Sequence, residues 1–277
     1  MICCLCLSTS LLSNRRMANI EHLNVLIWGG VERWNRWRRE NPEICPDLSE
    51  SALWQGGARV LPGIDFRWCN LNKTNLSRVN LRAANLQGVE AWDADFFGAD
   101  LQDAILAQAT LIRARFRGSL QGAILNNANL SGAVMNNCNL RAADLTATNL
   151  TIASLDECDL SGADLTHPFA NGASFDRSNL SGARLNKALL RVVSFANSIL
   201  SGTDFTGSEM GSTVFADNDL SQALGLETVS HGGPSTFGID TVSIKGGNPH
   251  RFPTGCRCAG NLPFLFRRSQ SIRIGLL

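Results

Sequence analysis

One five-residue pattern recurs along this chain, most clearly in Ala84-Asn85-Leu86, Ala99-Asp100-Leu101, Ala128-Asn129-Leu130, Ala143-Asp144-Leu145 and Ala163-Asp164-Leu165. A small residue stands two places before a leucine in each segment. A period of five is neither the 3.6 of an α-helix nor the 2 of a β-strand. A chain that points every fifth side chain inward must turn a corner at each unit. The pattern therefore predicts a four-cornered coil that stacks on further coils.

We call the Leu, Phe or Met position of each unit its centre. The centres run from Phe66 to Phe116 in steps of five, one step of four leads to Leu120, and steps of five continue to Leu220. These 32 units make eight four-sided coils. If every fourth unit belongs to the same face, the first to fourth faces begin at Phe66, Leu71, Leu76 and Leu81.

The composition of the faces supports this assignment. The centres of the fourth face are all leucine, and five centres of the third face are Phe96, Phe116, Phe175, Phe195 and Phe215. Such a separation would be improbable if one coil did not contain four units. The single short step therefore shortens one corner without removing a face.

The unit Ala-(Asp/Asn)-Leu-x-x resembles that of the pentapeptide-repeat family over residues 47–224. The resemblance implies an all-β solenoid, a right-handed quadrilateral parallel β-helix of about eight coils. In such a helix the centre and the small residue point inward, and coils stack about 4.8 Å apart. Asp or Asn before the centre suits a corner, because its side chain can hydrogen-bond the nearby backbone.

The segment before the repeat is expected to form a leader and a cap. Residues 1–17 read as a disordered leader before a start at Met17, and residues 18–46 as an N-terminal helical cap with an extended linker. The apolar spacing predicts one amphipathic helix over 18–40, weakened at Gly29-Gly30 and stopped at Asn41-Pro42. Trp34 and Trp37 would close the end of the solenoid.

The segment after the repeat is expected to close the other end. We assign residues 225–245 to a C-terminal cap, in which Ser235 would begin a short helix over Phe237, Ile239 and Val242. Residues 246–277 show no period and are expected to be a disordered or frameshifted tail.

Both ends also resemble a bacterial pentapeptide-repeat subfamily that is sometimes fused to a Toll/interleukin-receptor-type (TIR) signalling domain. The resemblance rests on residues 31–49 and 225–241, and it stops near Gly247. A shifted reading frame over residues 248–265 can spell a sequence like that of the subfamily. We therefore expect a frameshift that replaced the native tail and any domain beyond it.

Charge and cysteine usage exclude several classes of partner and cofactor. Residues 64–224 contain 16 acidic and 12 basic side chains, a net charge of −4 that favours neither nucleic acid nor a DNA mimic. The nine cysteines form no even framework, and Cys69, Cys138 and Cys158 fall on small inward positions. We expect a cytoplasmic protein with no metal, no cofactor and no membrane span.

Enzymatic activity finds no support in the sequence. The four histidines are scattered, and no phosphate loop, nucleophile elbow or zinc-protease motif is present. A column formed by Asp144, Asp164 and Asp204 is interrupted by Arg184, which is typical of a solvated corner. We therefore predict a protein that is not an enzyme.

Two irregular units mark the second face as the candidate interaction face. Alanine replaces the large centre at Ala91 and at Ala170, and the outward positions of this face carry an apolar set: Trp92, Ile112, Ile152, Phe169, Leu189 and Val192. Contiguous exposed apolar side chains often mark an interaction site. The alternative is that Trp92 and Phe169 fold back to fill the space beside the alanine centres.

Three functions remain open. The leading one is a non-enzymatic scaffold that presents a rigid rod to an unknown protein partner, including a second copy of the chain. The family resemblance also implies a DNA-mimic inhibitor of a topoisomerase, as in the quinolone-resistance members, which are acidic dimers. The third is the remnant of a TIR-type signalling protein that has lost its effector domain.

Overall fold

The computed structural model describes residues 18–53, 60–233, 235–237 and 257–258. Successive turns of chain stack in parallel, and most of the contacts are single bridges about twenty residues apart, such as Asn149 with Phe169. Longer strands are β1 (Asp95–Asp100), β2 (Arg115–Ser119), β3 (Leu189–Arg191), β4 (Glu209–Gly211), β5 (Val214–Phe215), β6 (Ser230–His231), β7 (Thr236–Phe237) and β8 (Arg257–Cys258). The sheet orders are β1-β2, β3-β4-β6 and β5-β7-β8, all parallel.

The core is a column of stacked centres. The rings of Phe175 and Phe195 lie 5.3 Å apart, those of Phe195 and Phe215 lie 5.2 Å apart, and all three are fully buried. These separations match the spacing of hydrogen-bonded strands, roughly 4.8 Å. The predicted third face is therefore present as a continuous internal stack, and each coil buries its centres against its neighbours.

Most corners of the described repeat are turns with a left-handed residue at the third position. The N–H of Cys69 donates to the carbonyl of Phe66 at 3.0 Å, and Trp68 between them has φ 59°. A positive φ at the third turn position is the signature of a type II turn. The carboxylate or amide before the centre accepts the N–H two residues on, as Asn80 does from Arg82 at 3.0 Å. The predicted role of Asp and Asn at the corners is thus present.

The one short step lies at Gly118. Asp100 pairs with Ser119, which pairs in turn with Asn139, so the fourth face continues across the deletion. A Cβ on Gly118 would lie 2.3 Å from the carbonyl oxygen of Ala99. Only glycine therefore fits the shortened corner, and the prediction that no face is lost is confirmed.

The N-terminal cap is helix α1 (Ile20–Glu40), which Asn19 caps and Gly30 interrupts with φ 60°. Trp34 is fully buried, and its Nε1–H donates to the carbonyl of Asp65 at 2.7 Å. Its ring meets that of Phe66 edge-on at 5.6 Å. The predicted helical cap is confirmed, with a kink where the two glycines stand.

The solenoid extends past the regular repeat at both ends. Leu48 and Leu53 are buried and donate their N–H groups to Asn70 and Asn75, so the second and third faces begin there. At the other end β7 pairs with β5, where a short helix capped by Ser235 was expected. That helix is wrong for residues 236–237, because the chain completes a further coil. Residues 1–17, Ile239, Val242 and most of the predicted tail lie outside the described residues.

Candidate interaction face

The six predicted residues do occupy one face, and they divide into two groups. Trp92 and Ile112 follow the centre on two consecutive coils of the second face. The other four lie on the three coils that contain Leu150, Ala170 and Leu190. We call these four the apolar patch: Ile152, Phe169, Leu189 and Val192. The polar unit Ser131-Gly132 separates the two groups.

The side chains of the apolar patch remain open to solvent. Ile152 is 66% exposed, Val192 is 65% exposed and Phe169 is 53% exposed, while Leu189 is half-buried. Phe169 pairs with Leu189 on the next coil. Phe169 and Leu189 are therefore neighbours at one edge of the second face, while Ile152 and Val192 lie at its far corner, with Thr151, Asn171 and Arg191 between the two pairs.

Two residues of the patch occupy a strained backbone conformation. Ile152 has φ 53° and Val192 has φ 59°. Among the described residues with positive φ, they are the only β-branched ones. Left-handed geometry costs roughly 1–2 kcal/mol for an L-residue, and it is an outlier for a β-branched side chain. The other left-handed corners of the described residues carry glycine or residues that are not β-branched, such as Lys187 and Asn197, so the fold does not require β-branched residues here.

Glycine alternates with these two residues along the corner. The column reads Gly132, Ile152, Gly172 and Val192 on consecutive coils. A Cβ added to Gly172 would lie 3.2 Å from Cγ2 of Ile152. The result is a row of protruding side chains with a gap between them. The two protrusions are about 10 Å apart, since each coil rises about 4.8 Å.

Phe169 does not fold back into the rod. Ala170 is fully buried, and buried Pro168 occupies the inward small position of that unit. Asn171 of this unit also supports the next coil: the N–H of Arg191, which has Leu189 rather than Asp or Asn two positions before it, donates to Oδ1 of Asn171 at 3.2 Å. The fold-back alternative is therefore wrong for Phe169, because Pro168 already fills the inward position.

Trp92 lies flatter against the rod. It is half-buried, its N–H donates to Oδ1 of Asn72 at 3.0 Å, and Nζ of Lys73 lies 4.8 Å from the ring centroid. A cation over an indole face is attracted by the ring quadrupole. Ile112 on the next coil is also half-buried. This pair is thus covered by its own chain to a greater extent than the apolar patch.

The charged side chains on the three coils of the patch are basic, and one carboxylate, Glu209, adjoins the patch on the next coil, where it pairs with Leu189. Residues 147–152, 167–172 and 187–192 contain Lys187 and Arg191 but neither Asp nor Glu. Arg191 forms an ion pair with Glu209 on the coil above. Lys187 and His167 are exposed on consecutive coils, at the corner where the first face meets the second. The sequence reading missed both residues, although a search of the twenty-residue columns for unpaired charge would have found them.

Eight acidic side chains of the described residues form ion pairs with basic neighbours. The described residues contain eight ion pairs: Arg67–Asp65, Lys73–Glu50, Arg82–Asp100, Arg113–Asp93, Arg141–Asp159, Arg177–Glu157, Arg184–Asp164 and Arg191–Glu209. The hydrogen bond from Arg113 lowers the pKa of Asp93 below its usual value. Seven of the 16 acidic side chains of residues 64–224 are therefore ion-paired, and in the column of Asp144, Asp164 and Asp204 it is Asp164 that pairs with Arg184.

The buried thiols belong to the core. Cys69, Cys138 and Cys158 are buried, and burial raises the pKa of each, that of Cys138 to about 11. The Cys158 thiol donates to the carbonyl of Met135 at 2.9 Å. A thiol with a raised pKa is a poor nucleophile. These cysteines lie at the small inward positions, as the repeat predicts.

The described residues contain neither a metal-binding cluster nor a membrane-spanning helix. No group of three or more His, Cys, Asp or Glu side chains is arranged to hold a metal ion within residues 18–53, 60–233, 235–237 and 257–258. No helix in the same ranges is long and apolar enough to cross a membrane.

Single exposed apolar residues also occur away from the patch. Ile199 on the fourth face is 56% exposed, and Leu224 is 51% exposed. On the cap helix Trp28 is 79% exposed. Isolated surface side chains of this kind are normal in proteins. Ile199 holds the same position in its unit as Phe169, so it provides a matched reference for experiments.

Comparison with solved structures places the chain among repeat rods. HetL, a pentapeptide repeat protein involved in heterocyst differentiation regulation from the cyanobacterium Nostoc sp. strain PCC 7120, is 27% identical. The alignment covers 68% of this chain and 82% of HetL, with a TM-score of 0.54. QnrB1, a plasmid-mediated fluoroquinolone resistance protein, is 16% identical over 73% of this chain and 91% of its own, with a TM-score of 0.41. A comparison with curated proteins gave no match.

The family model for pentapeptide repeats matches eight copies, over residues 61–91, 94–119, 119–151, 158–195 and 173–211. These segments coincide with the stacked coils, and the predicted right-handed quadrilateral β-helix is confirmed with them. The relation of the two ends to a TIR-fused subfamily stays a prediction. By its repeat, its coil geometry and this match, the chain belongs to the pentapeptide-repeat family.

Proposed function

We propose that this chain is a non-enzymatic scaffold that binds a partner protein through the apolar patch on its second face. One observation carries the proposal. Ile152 and Val192 are β-branched, left-handed and about two-thirds exposed at the same time. Their strain is not offset by burial within the rod, and strained residues cluster at functional sites.

A bound partner would offset the backbone strain of Ile152 and Val192 by covering their exposed side chains. Covering an apolar side chain is worth roughly 1.5–3 kcal/mol when the burial is complete. The patch holds three exposed apolar side chains in fixed positions, because the corners are hydrogen-bonded to the coils above and below. A preorganised surface loses little conformational entropy on binding. The rod therefore suits recognition of a protein better than catalysis.

The similarity to HetL supports a binding role in regulation, since that protein is involved in heterocyst differentiation regulation. The DNA-mimic alternative is disfavoured by charge. A DNA mimic needs a strongly negative face. In this chain seven acidic side chains between positions 64 and 224 are ion-paired with basic ones, which weakens the negative charge of the surface. A cytoplasmic location is part of the proposal.

Site-specific photocrosslinking tests the proposal directly. A photoreactive phenylalanine analogue is placed at Phe169 or at Ile199, which are 53% and 56% exposed and hold the same position in their units. After irradiation in cells of the source organism, we expect a discrete protein adduct from position 169 and none from position 199. Identical adduct patterns at the two positions, or none at 169, would refute a binding role for the second face.

A further inference from the structure

We propose that the apolar patch binds an acidic amphipathic α-helix of a partner protein, lying along the rod. This inference rests on the proposed function and names the class of partner. It is drawn from three properties of the patch: its backbone hydrogen bonding, the spacing of its protrusions and the sign of its charge.

The backbone of the patch offers no site for an added strand. The N–H of Ile152 donates to Asn171, that of Phe169 to Thr148 and that of Val192 to Gly211, at 2.9, 2.9 and 2.7 Å. Every one of these donors is used between coils of the rod. An extended segment laid on this face would leave its own backbone groups unpaired against an apolar surface, which is costly. A helix satisfies its backbone internally, so it can be recognised by side chains alone.

The spacing of the patch fits a helix parallel to the rod axis. Ile152 and Val192 lie two coils apart, about 10 Å along the rod, with Gly172 between them. On a helix, residues seven apart rise about 10.5 Å, and residues three or four apart rise about 4.5–6 Å. An apolar stripe with this spacing can place one side chain over Gly172 and pack others against Ile152 and Val192. Phe169 and Leu189 would support the same stripe from the other edge.

The charge of the patch favours an acidic partner. Lys187 lies at the corner beside Leu189, the three coils contain no acidic residue on this face, and Glu209 on the next coil is ion-paired with Arg191. Asp156 and Asp176 lie farther round, on the third face, where they accept hydrogen bonds from Ser174 and Ser194. Carboxylates on the side of the helix toward the first face would therefore meet Lys187 without facing these aspartates.

Synthetic peptides of about 20 residues, roughly 30 Å long as helices, provide the probe. The first peptide carries Leu at helical three- and four-residue spacing and Glu elsewhere. The second replaces Glu by Lys. The third keeps the acidic sequence but has a central proline, which breaks the helix. Binding to the full chain is measured by fluorescence anisotropy at low and high salt.

We expect the acidic helical peptide to bind with a Kd of about 10–100 µM and the other two to bind at least about tenfold more weakly. Phe169→Ala and the pair Ile152→Gly with Val192→Gly should each weaken binding about tenfold. Lys187→Glu should weaken it several-fold and reduce its dependence on salt. Ile199→Ala, the matched control, should leave the Kd unchanged.

The contrary outcomes separate this inference from the proposed function. The acidic-helix inference is overturned if the basic peptide or the proline peptide binds as tightly as the acidic helical peptide, or if the acidic peptide does not bind. In either case a crosslink at Phe169 would still support the scaffold role. A dimer in sedimentation velocity that Phe169→Ala abolishes identifies a second copy as the occupant and likewise overturns the helix. Absence of the crosslink at Phe169 overturns both.

Discussion

Replacing Ile152 and Val192 together by glycine tests whether these residues serve binding rather than folding. Both have positive φ, and a left-handed L-residue costs roughly 1–2 kcal/mol, which glycine avoids. Both are about one-third buried, so the lost contacts are worth roughly 0.5–1 kcal/mol per site. The extra freedom of glycine in the unfolded chain costs a further 0.5–1 kcal/mol, roughly.

These contributions nearly cancel. We expect each substitution to change the free energy of unfolding by no more than about 1 kcal/mol in either direction. The neighbouring residue Val193 gives the contrast, because it is fully buried. Val193→Ala removes two buried methyl groups and should cost about 2 kcal/mol or more once the cavity is included.

Urea unfolding followed by far-UV circular dichroism measures the free energy of unfolding of the wild type, the double glycine variant and Val193→Ala under the same conditions. The double glycine variant should unfold near the wild-type midpoint and still lose peptide binding, while Val193→Ala should unfold earlier. A loss above about 3 kcal/mol in the double variant, or a loss greater than that of Val193→Ala, would refute the argument. Ile152 and Val192 would then be structural, and their strain would say nothing about a partner.

Two further predictions concern the frame of the rod. Gly118→Ala should destabilise the shortened corner by about 1–3 kcal/mol, because its Cβ would lie 2.3 Å from the carbonyl oxygen of Ala99. Gly233→Ala is the control, because Gly233 has no positive φ and an added Cβ would meet nothing within 4 Å; it should cost less in the same urea assay, and equal costs would contradict the crowding. The second prediction concerns His22, which accepts a hydrogen bond from the Asp47 N–H at 3.1 Å and whose pKa is lowered by burial. As the pH falls, the unfolded chain therefore binds a proton at this histidine before the folded chain does. The stabilising contribution should be complete above about pH 6.5 and should be lost as the pH drops through that value toward the lower pKa of the folded chain. His22→Gln should reduce this slope between about pH 7.5 and pH 5.5, where burial of His231 contributes in the same direction, and an unchanged slope would exclude His22 as a contributor.

Most of the fold could be read from the spacing of the centres. The four faces, the all-leucine column and the shortened corner at Gly118 follow from which residues return after twenty positions. Asp and Asn at the corners accept hydrogen bonds from the backbone N–H two residues further along, so their role can be predicted from the local sequence. The cap helix could also be predicted from the sequence, because Asn19, the apolar spacing and Asn41-Pro42 are local signals.

Less of the candidate face could be read in this way. The spacing placed Ile152, Phe169 and Val192 on one face, but it could not tell whether Phe169 folds inward. That outcome depends on Pro168, which occupies the inward position of the same unit. The β-strand at Thr236–Phe237 was also missed, because the five-residue period has faded there and the pairing is with Val214–Phe215, more than twenty residues away.

The repeat, its four faces and the identity of the inward residues follow from the amino-acid sequence, because each five-residue unit carries its own inward and corner positions. Tertiary structure alone decided which outward residues stay exposed, which carboxylates are paired and which corners are strained. Those properties depend on contacts between residues about twenty positions apart, across stacked coils. A periodic sequence specifies the stacking, but the surface that the stacking leaves open at Ile152 and Val192 appears only once the coils are in place.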